Sequence, residues 1–385
     1  MSQESKRHHL EVQALRIQQV LARHGLPGQV VSGETQGLWA RFDLQTQISA
    51  GRERWQALKA ELKAALGVPD VQIGVVDGHL RIQVSEPTGP PVPLLELLER
   101  LPSLPPVTTT LGLSPKGIPV VLNLVEDNIG HILVAGGSQA GKTALLRSMA
   151  LSLAMTSRQS QVQLAAISPH EHKGAEELRL LNYIPHMLLP LVRSAAAIHD
   201  ALGFLDDEMR YRLHHRRLQP AIVVLVDELE SVLAAGGQPT RERLASLLQS
   251  GEQAGIYLAL STNQPLAGTL GELVKSYLGV RLVGRVRDSA EARAATGVRD
   301  SEAESLPGKG AFVAAAHGEL LTEFQAAYVS EEDMLPALER LQRQAKPVLR
   351  ARPFSTRPSL PRAPDSAETV AFQVRAEDGG VTFHV

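Results

Sequence analysis

Apolar residues at Leu10, Val12, Leu15, Ile17, Val20 and Leu21 recur at helical spacing, so the chain opens on an amphipathic helix over residues 10–22. Alternating runs from Val30 to Leu44 then predict strands, and a second helical stripe covers Arg52 to Leu66. The next segment, VQIGVVDGHLRIQV, sets Asp77-Gly78 between two alternating strands, where a tight hairpin turn prefers such a pair. These elements predict a small α+β domain over residues 1–86. Residues 87–106 are rich in proline around one short apolar helix, LLELLERL, and read as a connector.

From Val107 to about Tyr328 the pattern changes to short, wholly apolar runs separated by longer helical stretches: HILVA, QVQLAAI, AIVVLV, IYLALS, GVRLVG and AFVAAA. Strands apolar on both faces and alternating with helices predict a mainly parallel sheet covered on both sides. This second unit spans residues 107–335. Beyond it, residues 340–362 hold seven Lys/Arg, four Pro and no acid, so residues 336–385 are expected to form a basic, proline-rich, disordered tail.

Composition narrows the choice of chemistry. The chain has 385 residues and no cysteine, which excludes disulfide scaffolds, zinc ribbons and thiol catalysis. With 39 Lys+Arg against 41 Asp+Glu the net charge is -2, so any nucleic-acid contact must come from a local cluster of cations. The apolar runs are far shorter than the ~18 residues of a membrane span, and the opening MSQESKRHH lacks a signal-peptide core. The expectation is a protein of the cytoplasm without a transmembrane segment.

The strongest chemical signal follows the strand HILVA. Gly136-Gly137-Ser138-Gln139-Ala140-Gly141-Lys142-Thr143 matches GxxxxGK(S/T) and runs directly into the helix ALLRSMALSLAM. In that strand, loop and helix context the backbone amides and helix N-terminus cradle phosphates, Lys142 reaches the β- and γ-phosphates, and Thr143 holds Mg²⁺. The ligand this predicts is ATP with Mg²⁺. A second acidic signal ends the strand AIVVLV. Asp227 there is a candidate for Mg²⁺ through water, and Glu228 for the base that orients attacking water. The strand IYLALS leads to Asn263, a candidate sensor of the γ-phosphate, although Asn after a strand is also an ordinary turn former.

These residues resemble the FtsK/SpoIIIE family of ring-forming DNA translocases. HILVAGGSQAGKT is similar to HLLVAGxTGSGKS, YIPHMLLPLV to IPHLLxPVV, DDEMRYR to the helix segment EMERRY, AIVVLVDELESVL to IVVxIDEFADLM, and QAGIYLALSTNQP to AAGIHLxLATQRP. The five segments keep the family's order, and the first hundred residues match its α domain in layout. The resemblance implies a RecA-like P-loop motor behind a small α+β domain, assembled as a homo-oligomeric, hexameric ring. It also implies ATP bound between neighbours and double-stranded DNA in the pore. Neither a membrane-spanning N-terminal region nor a winged-helix domain after the motor is recognisable.

The sequence departs from the family's pattern at chemically important places. Glu252 stands where the family has the arginine of RAAGIH, and Ser289 where it has the lysine of VSSK, so two cations that act on a neighbour's nucleotide are replaced. Arg281, Arg285, Arg287 and Arg293 lie close by in sequence and are candidates to substitute, with a structural or solvated role as the alternative. The glutamine of ATQRP becomes Asn263, its arginine becomes Gln264, and the DPK segment becomes Ser168-Pro169-His170. For DNA, Lys275 matches the lysine of the LIKAN segment, and Arg241 and Arg243 follow the Gly236-Gly237 loop. Three functions stay open at this stage: a DNA translocase, a weakly hydrolysing regulatory or scaffold relative, and a secretion-type ATPase.

Overall fold

The computed structural model describes residues 3–26, 28–36, 39–45, 52–68, 71–76, 79–85, 91–126, 129–169, 173–264, 277–345, 373–377 and 380–384. The N-terminal unit runs α1 (Gln3–Arg23), β1 (Gln29–Gln36), β2 (Trp39–Gln45), α2 (Arg52–Leu66), β3 (Val71–Val76) and β4 (His79–Ser85). Its sheet is antiparallel in the order β1-β2-β4-β3. Ile17 and Leu21 from α1, Leu58 and Leu62 from α2, and Phe42, Leu44, Leu80 and Ile82 from the strands share one core. Asp77-Gly78 lies outside the described residues, but Val76 pairs with His79, the register a two-residue connection imposes. Arg41 of β2 reaches Glu302 of the larger unit.

The larger unit begins earlier than its sequence suggests. β5 (Val92–Pro93) pairs with a later strand, and α3 (Leu94–Arg100) buries Leu94 and Leu97 in the main core, so the second half of the expected connector is part of the packed body. β6 (Thr108–Leu113) and β7 (Pro119–Asn123) follow. Next come β8 (His131–Ala135), α4 (Lys142–Thr156), β9 (Val162–Ile167), α5 (Lys173–Glu177), α6 (Ala195–His215), β10 (Ala221–Val226), α7 (Leu229–Ser250) and β11 (Ile256–Thr262). The body ends with β12 (Leu278–Gly284), α8 (Ser289–Thr296), β13 (Ala311–Ala316), β14 (Glu319–Tyr328) and α9 (Glu331–Gln344). Ser330 caps α9, which runs on through Pro336 and buries Met334, Ala337, Leu338 and Leu341, so packing continues past residue 335. Of the expected tail, residues 346–372 lie outside the described residues, and β15 (Gln373–Glu377) and β16 (Gly380–His384) form an antiparallel pair.

The sheet order is β7-β6-β14-β13-β12-β8-β11-β10-β9. The stretch from β12 through β8, β11 and β10 to β9 is parallel, the pairs from β7 to β12 are antiparallel, and β5 adds a parallel pair to β14. All six apolar runs read from the sequence are strands, each buried along most or all of its length because helices cover both faces. On one face α3, α4 and α9 share a core with the sheet. On the other, α6, α7 and α8 do so.

The antiparallel extension packs on α4, whose Ser148 and Ser152 are fully buried. Ser152 Oγ accepts from Thr110 N, Ser157 Oγ accepts from Val107 N, and Thr109 Oγ1 donates to the Met149 carbonyl. Side chains and a carbonyl of α4 and its C-terminal cap therefore satisfy two backbone amides and one hydroxyl in and beside β6, while the hydroxyls of Thr108, Thr110 and Ser148 have no partner among the described residues. β11 separates β8 from β10, so the loops leaving those two strands flank its end. That is the carboxyl edge of a parallel sheet at a point where the chain reverses its direction of travel, a place where such folds bind ligands.

Candidate active site

The loop after β8 turns sharply into α4. Gly141 sits at φ 101°, and a side chain there would press within 3.1 Å of the Gly310 backbone. Only glycine combines that conformation with that approach. The loop is braced from outside: Gly137 N donates to the Arg285 carbonyl at 2.7 Å, Gly136 N to the Thr262 carbonyl at 3.2 Å, and Gly310 N to the Ala140 carbonyl at 3.0 Å.

Lys142, the first residue of α4, is 5% exposed. Its Nζ donates to the carbonyls of Gly136 and Gly137 at 3.0 and 3.1 Å, and to Asn263 Oδ1. Burial pulls the Lys142 ammonium below its ordinary range, while Glu228, Asp227 and Glu230 oppose that pull and favour the charge.

Asp227 is 0% exposed, and both of its oxygens are engaged. Thr143 Oγ1 donates to Oδ2 at 3.0 Å, and Ser261 Oγ donates to Oδ1 at 2.6 Å. Glu228 follows in a left-handed conformation, φ 53° and ψ 62°, which is strained for a residue with a side chain. Its amide donates to Ser261 Oγ at 3.0 Å, which helps hold that turn, and its Oε2 accepts from Asn263 Nδ2 at 2.6 Å. Asn263 thus touches the lysine with one end of its amide and the glutamate with the other. Although one methylene shorter than glutamine, it spans both.

Lys142, Thr143, Asp227, Glu228 and Asn263 are therefore gathered in one place. Chemically they combine a loop rich in backbone amides, one ammonium group, a hydroxyl beside a carboxylate suited to a hard cation, and a second carboxylate held by a side-chain amide. Three further participants were not identified from the sequence. Ser261, 0% exposed, holds both acids. Glu230 accepts from the Thr262 hydroxyl and from Gln264 N at 3.1 Å, although the family pattern it resembles has a small residue there. Gly174 of α5 lies against Asp227 and Thr143. None of the three carries a motif; the signal, had it been followed, was a serine ending a buried strand and an acid two residues after Glu228.

The remaining candidates scatter. Glu252 and Arg281 line one cavity of about 540 Å³, together with Tyr277 and His317, at the opposite edge of the sheet from the phosphate loop. Arg281 is half-buried there, and burial lowers its affinity for the proton. Arg285 lies beside the chain's own phosphate loop through its carbonyl, rather than at the far edge. Arg287 pairs with Glu291, while Arg293 and Ser289 are exposed on α8. Arg243, half-buried, donates to the His199 carbonyl and packs on Gly203, so it ties α7 to α6 and is not free for a phosphate. Arg241 is exposed. Lys275 and His170 lie outside the described residues.

The chain is 26% identical over 365 residues to the DNA translocase FtsK of Leptospira interrogans, a match covering 87% of this chain and 38% of that protein. It is 25% identical over 335 residues to the DNA translocase SftA of Bacillus subtilis, covering 80% and 34%. The chain thus spans less than half the length of these curated relatives. Among solved structures, the pCW3 conjugation coupling protein TcpA with ATPgS superposes with a TM-score of 0.57 at 16% identity, over 86% of this chain and 99% of that one. The cytoplasmic domain of the type VII secretion ATPase EccC of Thermomonospora curvata does so with a TM-score of 0.57 at 21% identity, over 66% and 34%. The fold is that of the P-loop ATPase motors. Among the described residues no helix is long and apolar enough to cross a membrane. The model of the FtsK/SpoIIIE family matches residues 102–216, and over that segment the chain is similar to the FtsK/SpoIIIE family.

Proposed function

We propose that this chain is the ATP-hydrolysing motor of a double-stranded DNA translocase, working in the cytoplasm as a hexameric ring with nucleotide at the subunit boundaries. The observation that carries the reading is the convergence of Lys142, Thr143, Asp227, Glu228 and Asn263 at the end of β11. The Thr143 hydroxyl and the Asp227 carboxylate are hard oxygen donors 3.0 Å apart and suit Mg²⁺, which would offset the charge of the phosphates when bound.

In this reading the amides of Gly137 to Thr143 and the N-terminus of α4 cradle the phosphates, and Lys142 follows the charge that develops on the γ-phosphate. Glu228 accepts the proton of the attacking water, and Asn263 holds that carboxylate in place. Arg241, which is exposed, and Lys275 would grip phosphates of the duplex without regard to sequence, a role for which an overall charge of -2 is no obstacle.

The deciding experiment is an ATPase titration with and without long duplex DNA, repeated across salt. Stimulation by DNA, a steep salt dependence and loss of turnover in Lys142→Ala are expected; a ring whose hydrolysis ignores DNA would sink the proposal. One observation favours slow turnover and a regulatory role instead. Glu252 presents an acid to the cavity at the far edge, where a cation for a neighbour's nucleotide is expected. If that edge meets a neighbour's phosphates, Glu252→Arg raises turnover at least tenfold. Unchanged turnover would leave Arg281, in the same cavity, as the cation that already serves.

A further inference from the structure

Gly174 is a residue whose identity neither turn chemistry nor backbone conformation explains. It lies inside α5 and is absent from the residues with positive φ. By helix propensity alone alanine would be favoured there. A Cβ built on it would come closer to Asp227 Oδ2 than the 3.0 Å that Cβ atoms respect, and would stand 3.2 Å from Thr143 Oγ1. What the glycine supplies is space beside the paired hydroxyl and carboxylate.

Both sides of this contact are held. Ala175 and Leu178 are 0% exposed, Leu178 N donates to the Gly174 carbonyl at 3.0 Å, and Arg147 of α4 reaches the Glu177 carbonyl at 3.4 Å, so α5 has little freedom to withdraw. Asp227 is gripped by Ser261 on one oxygen and by Thr143 on the other. The side that yields to an added methyl is the carboxylate, which has a rotatable bond, and its rotation breaks the contact with Thr143.

We propose that Gly174 is a positioning residue for the divalent cation of the ATP site. Its bare Cα shields Asp227 Oδ2 while leaving Thr143 and Asp227 in register for a hard metal ion. The inference rests on the ATP·Mg²⁺ reading above and deepens it: a side chain at 174 damages the response to Mg²⁺ and spares the phosphate loop itself.

The test is a fluorescence titration of the full chain with an N-methylanthraniloyl ATP analogue, once with Mg²⁺ and once with EDTA. In Gly174→Ala the affinity in EDTA stays within about twofold of the wild type, and the tightening by Mg²⁺ falls by about tenfold or more. An alanine variant that keeps the full tightening overturns the proposal. If Gly174→Ala does not fold, Gly174→Ala with Asp227→Ala is compared with Asp227→Ala alone. Equal folding of those two supports a collision with the carboxylate, and failure of the double variant alone overturns it. A wild type whose nucleotide binding ignores Mg²⁺ overturns both the proposal and the reading beneath it, and is recognised by failing before any substitution is made.

Discussion

Acidification should loosen the strand that carries the phosphate loop. His131 opens β8 and is 1% exposed. Its Nδ1 accepts from Leu258 N at 3.0 Å, which puts the ring proton on Nε2, donated to the Leu248 carbonyl at 3.1 Å. One neutral imidazole thus joins β8, the end of α7 and β11. Burial pushes its pKa down from 6.5 to about 4, against a partial opposing effect of the carbonyls of Leu248 and Leu247. Because the folded value lies below the unfolded one, the unfolded chain takes up the proton first. The stability that the neutral ring contributes is complete above about pH 6.5 and is lost as pH falls toward about 4. At about 1.4 kcal/mol for each pH unit that separation amounts to about 3 kcal/mol, a large share of the 5 to 15 kcal/mol of an ordinary domain. The assay is urea unfolding of the wild type and His131→Asn from pH 7.5 to 4. Carboxylates and the similarly depressed His186 titrate in both proteins, so the difference between the two curves belongs to His131. The wild type should lose about 3 kcal/mol more than the variant across that range. Parallel curves would refute the reasoning.

Two other substitutions separate architecture from chemistry. Ser261→Ala orphans the Glu228 amide and one oxygen of fully buried Asp227, so a loss of about 2 to 4 kcal/mol is expected together with a fall in kcat, while Ser261→Thr keeps most of both. Turnover of the alanine variant within twofold of wild type would show that the acids do not need this hydroxyl. Arg212→Ala strands Glu208, 1% exposed, and removes donors from the carbonyls of Pro220 and Ala254, which should cost about 3 to 5 kcal/mol in thermal or urea unfolding. Replacing the pair together, Arg212→Met with Glu208→Leu, should recover much of that loss; a double variant as unstable as the single one would count against an uncompensated charge as the cause.

The parts of the fold legible in the sequence are those whose burial is complete and whose periodicity is therefore unmixed. AIVVLV or HILVA has no amphipathic reading, and the phosphate loop announces itself because its glycines and Lys142 are contiguous. β6 is different. Thr108, Thr109 and Thr110 are as buried as any leucine, but the Thr108 carbonyl, the Thr109 hydroxyl and the Thr110 amide are met by Thr156, the Met149 carbonyl and Ser152 of α4, some forty to fifty residues away in sequence. No local pattern can show a partner at that separation. The same holds for Arg243, whose acceptor is a carbonyl on another helix, and for Gly174, whose reason is a carboxylate on another strand. The early start of the larger unit was hidden by proline content. Prolines around α3 read as a linker, whereas the apolar face of LLELLERL is what decides its place in the core.

The candidate site is organised by β11, a strand that carries neither of the two motifs by which the site was found. Because β11 lies between β8 and β10, its last residues face both loops at once. Thr262 accepts from Gly136 through its carbonyl and donates to Glu230 through its hydroxyl. Asn263 joins Lys142 to Glu228, and the Gln264 amide returns to Glu230. Glu230 therefore fixes the residue at which the chain leaves the sheet, and Asn263 joins the lysine to the Glu228 carboxylate. The phosphate loop is tied to Glu228 by two routes, one through the Asn263 amide and one through Thr143, Asp227 and Ser261, and the first lies one residue from the exit of the chain at Gln264. Strand order thus makes Asn263 and Glu230 the two points that tie the phosphate loop and the acids to the exit of the chain from the sheet.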